Sequence, residues 1–363
     1  MALREAALQA WPPFVLVTGL LLIGLVAHAE GLFERAGRRL ERLPGPPGAL
    51  LAGGIGLVAV VTAVLNLDTA VVFLTPVLVL AARARGVDER PFLYAAVYLA
   101  NASSLYLPGS NLTNLLVLAR EPQPGGEFAA RLLAPALAAT VVTAVGVRFL
   151  FRRELGADPD PPPRAAPAPG PGPGPERGRG GGALGVAATA AAAGLTLGLA
   201  EPALPVLGVG VVAAAVGVGR GRLELRAVIR ALGPVVLVLL FLASVGLGTV
   251  ARIWHGPAAL LAGAGSLETA GVGGLAAVAL NNLPATVLLS AGAPPHPRAL
   301  LIGLNLGPNL AVSGSLSAYL WMRAARQVGA RPSVATFSRR GVILAPAAIA
   351  AALLAASLAG TSV

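Results

Sequence analysis

Two stretches of this 363-residue chain place asparagine, aspartate, proline and glycine where hydrophobicity puts the backbone deep inside a lipid bilayer. The first runs Leu65-Asn66-Leu67-Asp68-Thr69-Ala70 to Thr75-Pro76, then Asn101-Ala102-Ser103-Ser104 and Pro108-Gly109-Ser110-Asn111-Leu112-Thr113-Asn114. The second runs Leu280-Asn281-Asn282-Leu283-Pro284-Ala285, then Asn305-Leu306-Gly307-Pro308-Asn309 and Ser313-Gly314-Ser315. Hydrocarbon cannot satisfy a freed N–H or C=O, so such residues are tolerated at that depth only around a cavity lined by protein or water. Two related copies in two halves imply structural repeats with a solute site between them, the organisation of secondary transporters.

Composition agrees: 56% of residues are hydrophobic, 12% are charged and the mean hydropathy is +0.77, whereas soluble domains are about a quarter charged. The chain is an integral membrane protein, so its net charge of +11 is read against topology and not as a nucleic-acid footprint. Every one of the 27 basic residues is arginine, and there is no cysteine, which excludes disulfides and thiol-based metal or ligand capture. His28, His255 and His296 stand near segment ends, where ordinary roles outweigh metal binding. No cofactor and no metal site is expected.

Apolar segments of spanning length fall at 11–29, 91–118, 132–150, 183–200, 203–219, 232–250, 298–321 and 341–360. Residues 48–82 and 257–292 are each too long for one helix and too short for two crossings with a turn. A re-entrant hairpin fits and puts the polar motif at its tip. Arg35, Arg38, Arg39 and Arg42 precede the first such stretch and Arg83, Arg85 and Arg90 follow it, so both ends share one face. Carrying that parity along the chain puts 22 arginines inside, against Arg4, Arg120, Arg131, Arg252 and Arg298 outside, as the positive-inside rule requires. The second hairpin then opens on the opposite face, so the repeats are inverted.

The domain reading is a first transmembrane repeat at 1–151, a Pro/Gly-rich disordered cytoplasmic linker at 152–182 and a second repeat at 183–363. Residues 30–43 read as an interfacial helix, with Leu32, Phe33, Ala36, Leu40 and Leu43 opposite the arginines. The span at 11–29 lacks a small-residue cleavage site and is not a removable signal peptide. Three spans precede the second hairpin and one precedes the first, so two scaffold helices are expected to be missing, whether by start-site assignment, truncation or degeneration. The lipid bilayer is the first partner, in a bacterial-type inner membrane.

A hairpin tip or broken helix leaves N–H groups free at one half-helix start and C=O groups free at the other. Asn66, Asn281 and Asn282 can satisfy such groups and still present an amide to a solute. Asp68 reads equally as the N-cap of the second hairpin arm and as a proton or ion carrier, and Pro284 suits the first turn of the equivalent arm. Thr69, Asn101, Ser110, Asn111, Thr113 and Asn114 are substrate-site candidates, as are Asn305, Asn309, Ser313 and Ser315. The Gly303–Gly307 pair and Gly53, Gly54, Gly56, Gly271, Gly273 and Gly274 read as close helix packing. Glu268 reads as an ordinary exposed carboxylate, and Trp11, Trp254 and Trp321 as interfacial anchors.

The sets Asn66-Leu67-Asp68-Thr69-Ala70…Thr75-Pro76, Ser110-Asn111-Leu112-Thr113-Asn114, Asn281-Asn282-Leu283-Pro284 and Leu306-Gly307-Pro308-Asn309…Gly314-Ser315-Leu316…Trp321 resemble the arsenite efflux permeases, the arsenical pump membrane proteins of the ion transporter superfamily. The resemblance covers 11–360 apart from the linker. It implies an all-α polytopic membrane protein of two inverted-topology repeats, each with a re-entrant helical hairpin and an interrupted transmembrane helix, dimeric through a scaffold domain. It further implies export of arsenite or antimonite, driven by proton exchange through Asp68 or by a soluble ATPase subunit. Leu67 stands where the family tends to have a second Asn, and Ala311 where a Thr is usual, and each removes a potential hydrogen bond to substrate. Open alternatives are sodium-coupled transport of a dicarboxylate-like anion, sodium/proton exchange, and a non-transporting paralogue. A membrane enzyme is disfavoured, because no intramembrane His, Ser/Lys or paired-Asp constellation is present.

Overall fold

The computed structural model describes residues 1–120, 123–156, 182–254 and 256–361. Those residues form an all-α polytopic membrane protein in which a crossing helix, a short helix, paired arms, a broken helix and a long helix follow one another twice, the second time after three further helices in that half. In the first half, α1 (Ala2–Ala29) crosses and α2 (Leu32–Glu41) is a short amphipathic helix, followed by the paired arms α3 (Pro47–Val64) and α4 (Leu67–Ala84). Next come α5 (Arg90–Ala102), two 3₁₀ turns, α6 (Leu112–Val117), the long α7 (Gly125–Leu150) and the short α8 (Arg152–Gly156). The second half begins with α9 (Ala183–Gly198), α10 (Ala203–Gly219), the amphipathic α11 (Leu225–Leu232) and α12 (Pro234–Ile253). It continues with α13 (Gly256–Ala262), the paired arms α14 (Ser266–Leu280) and α15 (Asn282–Leu289), α16 (Pro297–Leu306), two more 3₁₀ turns, α17 (Leu316–Gln327) and α18 (Val334–Leu358).

Both hairpins and both broken helices stand where the polar motifs put them. The first hairpin reverses at Leu65–Asn66 alone, so its 18-residue arms are each about 27 Å long at 1.5 Å per residue, longer than a span too short for two crossings would give. The reversal takes almost no chain, so 48–82 has room for two arms of nearly spanning length. The second hairpin is smaller than expected, because residues 256–262 form α13 and leave α14 and α15 as the arms. Helix α8 and its contacts correct the reading of disorder from residue 152: Arg152 lies over the Phe149 ring at 4.3 Å, and Arg340 pairs with Glu154 at 2.8 Å. The rest of that linker, 157–181, and His255 lie outside the described residues.

Side-chain contacts gather the arginine-rich loops at one end of the molecule. Arg85 donates to the carbonyls of Glu41, Leu43 and Gly45, Arg83 to that of Val328, and Arg340 to that of Leu150. Glu30, 4% exposed, accepts from Arg222 at 2.6 Å and from the Gly185 N–H at 2.8 Å. The opposite end joins Glu5 and Gln9 of α1 to Arg252 of α12. Helix α1 therefore runs from the arginine-poor end to the arginine-rich end and α12 runs back. The first hairpin opens at the arginine-rich end and the second at the other, which is inverted topology.

Close packing holds for Gly303, Gly307, Gly53, Gly54, Gly273 and Gly274 but not for Gly56 and Gly271. A Cβ on Gly303 would lie 2.1 Å from the Ala270 carbonyl oxygen, and one on Gly307 2.5 Å from the Gly274 Cα, so α14 and α16 touch backbone to backbone. Gly53 and Gly54 meet leucine side chains, while Gly56 and Gly271 have open space. Trp11 and Trp254 are exposed as anchors should be, but Trp321 is fully buried and donates to the Leu93 carbonyl at 2.8 Å, packed on Tyr94 and Phe337. It is a core residue and not an interfacial anchor.

Candidate functional site

Four half-helices start near the middle of the fold, and each begins on a capping side chain. The Asn66 side chain accepts from the Thr69 N–H at 2.7 Å, Asn111 from Thr113 at 3.2 Å, Asn281 from Leu283 at 3.4 Å and Ser315 from Ala318 at 3.4 Å. Asn and Ser suit these positions because a short acceptor reaches the N2 or N3 N–H. The cap of α4 is thus Asn66, and Asp68 sits inside the first turn, which corrects its reading as N-cap. Among the described residues no hydrogen bond or ion pair reaches the half-buried Asp68 carboxyl. Four N-termini opening on one region add their partial positive charges there, a setting suited to solute oxygens.

Each hairpin tip is tied to the break in its own half by a serine that holds the carbonyl three residues short of the tip's cap. Ser110 donates to the Ala63 carbonyl at 3.0 Å and Ser313 to that of Val278 at 3.1 Å. The Asn281 amide returns a bond to the Ser313 carbonyl at 3.1 Å.

The two breaks are joined by asparagines that cross between halves. The Asn305 Oδ1 accepts from Ser104 at 2.6 Å, from Asn111 at 2.6 Å and, more weakly, from Thr113 at 3.4 Å. Its Nδ2 donates to Asn114 Oδ1 at 2.9 Å and to the Leu301 carbonyl at 2.8 Å. Asn101 donates to Asn309 Oδ1 at 2.8 Å, and Asn309 donates to the Tyr98 carbonyl at 3.2 Å. Asn114 holds the Ser104 carbonyl at 2.7 Å. Every member is buried, so each bond is made in a medium where an unmade one is costly.

Of the sequence candidates, Asn101, Asn111, Thr113, Asn114, Asn305 and Asn309 meet in this knot. Asn66, Asp68, Thr69 and Ser110 lie around the first tip, and Asn281, Asn282, Ser313 and Ser315 around the second. Ser104 joins the knot without having been a sequence candidate, signalled only by its position one turn after Asn101 in a polar stretch. The Asn66 Nδ2, Thr69 Oγ1 and Asn101 Oδ1 are buried without a partner among the described residues, so they hold unused capacity for a solute. All of these groups are neutral except Asp68, and no arginine occurs within 49–82, 91–119, 256–297 or 299–322.

The CitMHS family of citrate transporters matches residues 5–356, which takes in both hairpins and both breaks. This chain belongs to that family. Membership of a transporter family agrees with what the motif resemblance implied. An arsenical pump membrane protein of Yersinia enterocolitica is similar to it, 30% identical over 151 residues. That match covers 40% of this chain and 35% of the relative, so the chain spans about a third of the relative's length in it. The fold is similar to the crystal structure of the Alcanivorax borkumensis YdaH transporter, described as having an unusual topology. The TM-score is 0.61 at 17% identity, over 99% of this transporter's chain and 88% of that one.

Proposed function

We propose that this CitMHS-type transporter exports arsenite or antimonite as the neutral trihydroxide in exchange for protons, with Asp68 as the proton carrier. The observation that carries this reading is the electroneutral knot of Asn, Ser and Thr between four helix N-termini, without an arginine in the segments that build it. A neutral polyhydroxylated solute needs donors and acceptors but no counter-charge, whereas a citrate trianion desolvated there would be left without a cationic side chain. In this reading the two repeats occupy 1–151 and 183–363, the arginine-rich end faces the cytoplasm of a bacterial-type cell, and 152–182 links the repeats on that side. A soluble ATPase subunit would replace the proton gradient as driving force, and a homodimer would form through the α1, α9, α10 and α12 side. A second reading, uptake of a citrate-like carboxylate, is favoured by the family's own description and by the helix N-termini.

The test is arsenite accumulation in everted membrane vesicles under a proton gradient, against the Asp68→Asn variant and empty membranes. Gradient-driven uptake that the variant loses supports the assignment. Uptake equal to empty membranes, with folded protein present, sinks it, and sodium-dependent citrate flux in the same vesicles would install the second reading.

A further inference from the structure

At the arginine-poor end, the two short half-helices that start at the candidate site finish against the crossing helices. Helix α6 ends at Val117 and α15 at Leu289, only about 9 and 12 Å from their caps at 1.5 Å per residue. Their far ends meet α1 and α12 in an apolar seam of Ala6, Ala10, Leu116, Val245 and Val287. The seam leaves a void of about 10 Å³ beside Ser290, near the limit that holds one water.

Across the seam, Gln9 of α1 donates through Nε2 to the Leu116 carbonyl at 3.0 Å. That carbonyl belongs to the last turn of α6, where helix partners run out. The direction of the Gln9 amide is imposed by Arg252, which donates to Gln9 Oε1 and to the Gly248 carbonyl at 2.8 Å. Arginine has no acceptor, so the amide oxygen must face the guanidinium and the NH₂ is left pointing at Leu116. The Glu5 carboxylate lies 3.6 Å from Arg252 Nε, and the guanidinium side chain is 8% exposed.

We propose that Gln9, aimed by Arg252, is a latch that closes the arginine-poor end of the transport path and must release Leu116 whenever the site opens to that side. The proposal rests on the transport reading given above but not on the identity of the cargo. Gln9 and Arg252 are positioning residues here, since neither touches the asparagine knot.

The chain has no cysteine, so a single reporter thiol reads the seam without background. Ser290→Cys, at a position 1% exposed, is labelled in proteoliposomes by a membrane-impermeant maleimide added from the arginine-poor side. Losing one hydrogen bond of about 1–1.5 kcal/mol shifts the open population by roughly five- to tenfold. Gln9→Met, which keeps the length and removes the donor, is therefore expected to raise the labelling rate of this reporter by about that factor, and Arg252→Gln to raise it as well. A second reporter, Thr75→Cys, buried midway along α4 between the first tip and the arginine-rich end, should stay unlabelled in both. Equal Ser290→Cys rates with and without Gln9 overturn the latch, as does labelling of both reporters together, which would mean general loosening. Faster labelling in a protein that moves no arsenite would leave the latch standing and remove only the cargo.

Discussion

The two hairpin tips carry the same residue for the same task and solve it with different backbones. At the first tip two residues, Leu65 and Asn66, share the reversal between α3 and α4, and Asn66 is extended at φ −172°, ψ 171°. At the second a single residue separates α14 from α15, so Asn281 takes the whole reversal at φ 79°, ψ 148°. Asparagine tolerates positive φ better than other side chains with a Cβ, yet this ψ lies towards a region that is nearly glycine's own and stores strain of about 1–3 kcal/mol. Asn66 is 2% exposed with its amide nitrogen unpartnered, whereas the Asn281 amide is occupied by Ser313. The first tip is relaxed and chemically open; the second is strained and chemically engaged. Asp68 is the second residue of α4, and the matching motif position in α15 is Pro284. The tip with free polar atoms also holds the titratable group, while the other invests its residues in shape.

The same contrast runs down the arms. The second hairpin docks on its broken helix through glycines at backbone distance, Gly303 on Ala270 and Gly307 on Gly274. In the first hairpin, Gly53 meets the side chains of Leu40 and Leu43, and Gly54 that of Leu78. Side chains can repack in small steps and backbone cannot, so the second hairpin is the less forgiving of the two.

The largest expected effect removes what joins the tips. Asn305→Leu leaves groups of Ser104, Asn111 and Asn114 unpaired, at about 1–3 kcal/mol per buried group; transport should be lost and the melting temperature of the detergent-solubilised protein should fall sharply. An unchanged melting temperature would mean that the halves are not coupled through this residue. Gly303→Ala should cost about 3 kcal/mol, the upper end for overpacking, because the added methyl meets the Ala270 carbonyl; the readout is the unfolding midpoint. Smaller and of opposite sign are the caps: Asn281→Gly should stabilise by on the order of 1 kcal/mol through relief of strain, and Asn66→Gly should destabilise by a few tenths. If both changes destabilise equally, the tips are equivalent and the contrast fails. Of the same order as the cap changes is Gly56→Ala, where open space surrounds the site and helix propensity alone should add about 0.5–1 kcal/mol.

Much of the site was legible along the chain, but not its wiring. The motif register pairs Asn66 with Asn282, since each is followed by Leu and then by the Asp68 or Pro284 position. The structure pairs Asn66 with Asn281 instead, as the caps lying three residues beyond the carbonyls held by Ser110 and Ser313. One residue of difference in the length of the reversal produces that shift, and no periodicity reports it. Asp68 looked like a cap because Asp caps well, yet where α4 begins depends on how Leu65 leaves α3. Ser104 and Trp321 were misjudged for a related reason: their partners, Asn305 and Leu93, lie 201 and 228 residues away.

The sequence alone determined that the chain lives in a bilayer, that it has two hairpins and two broken helices, and that the halves are inverted. Those properties are local sums: hydropathy over a span, breakers at a depth, and the parity of arginines along the chain, each readable without knowing what touches what. Only the tertiary structure decided which asparagine caps, which one bridges the halves, and which polar atoms are left over for a solute. Hydrogen bonds are short and directional, so their pairing is set when helices nearly two hundred residues apart come within 3 Å, and that approach is a property of the packed whole.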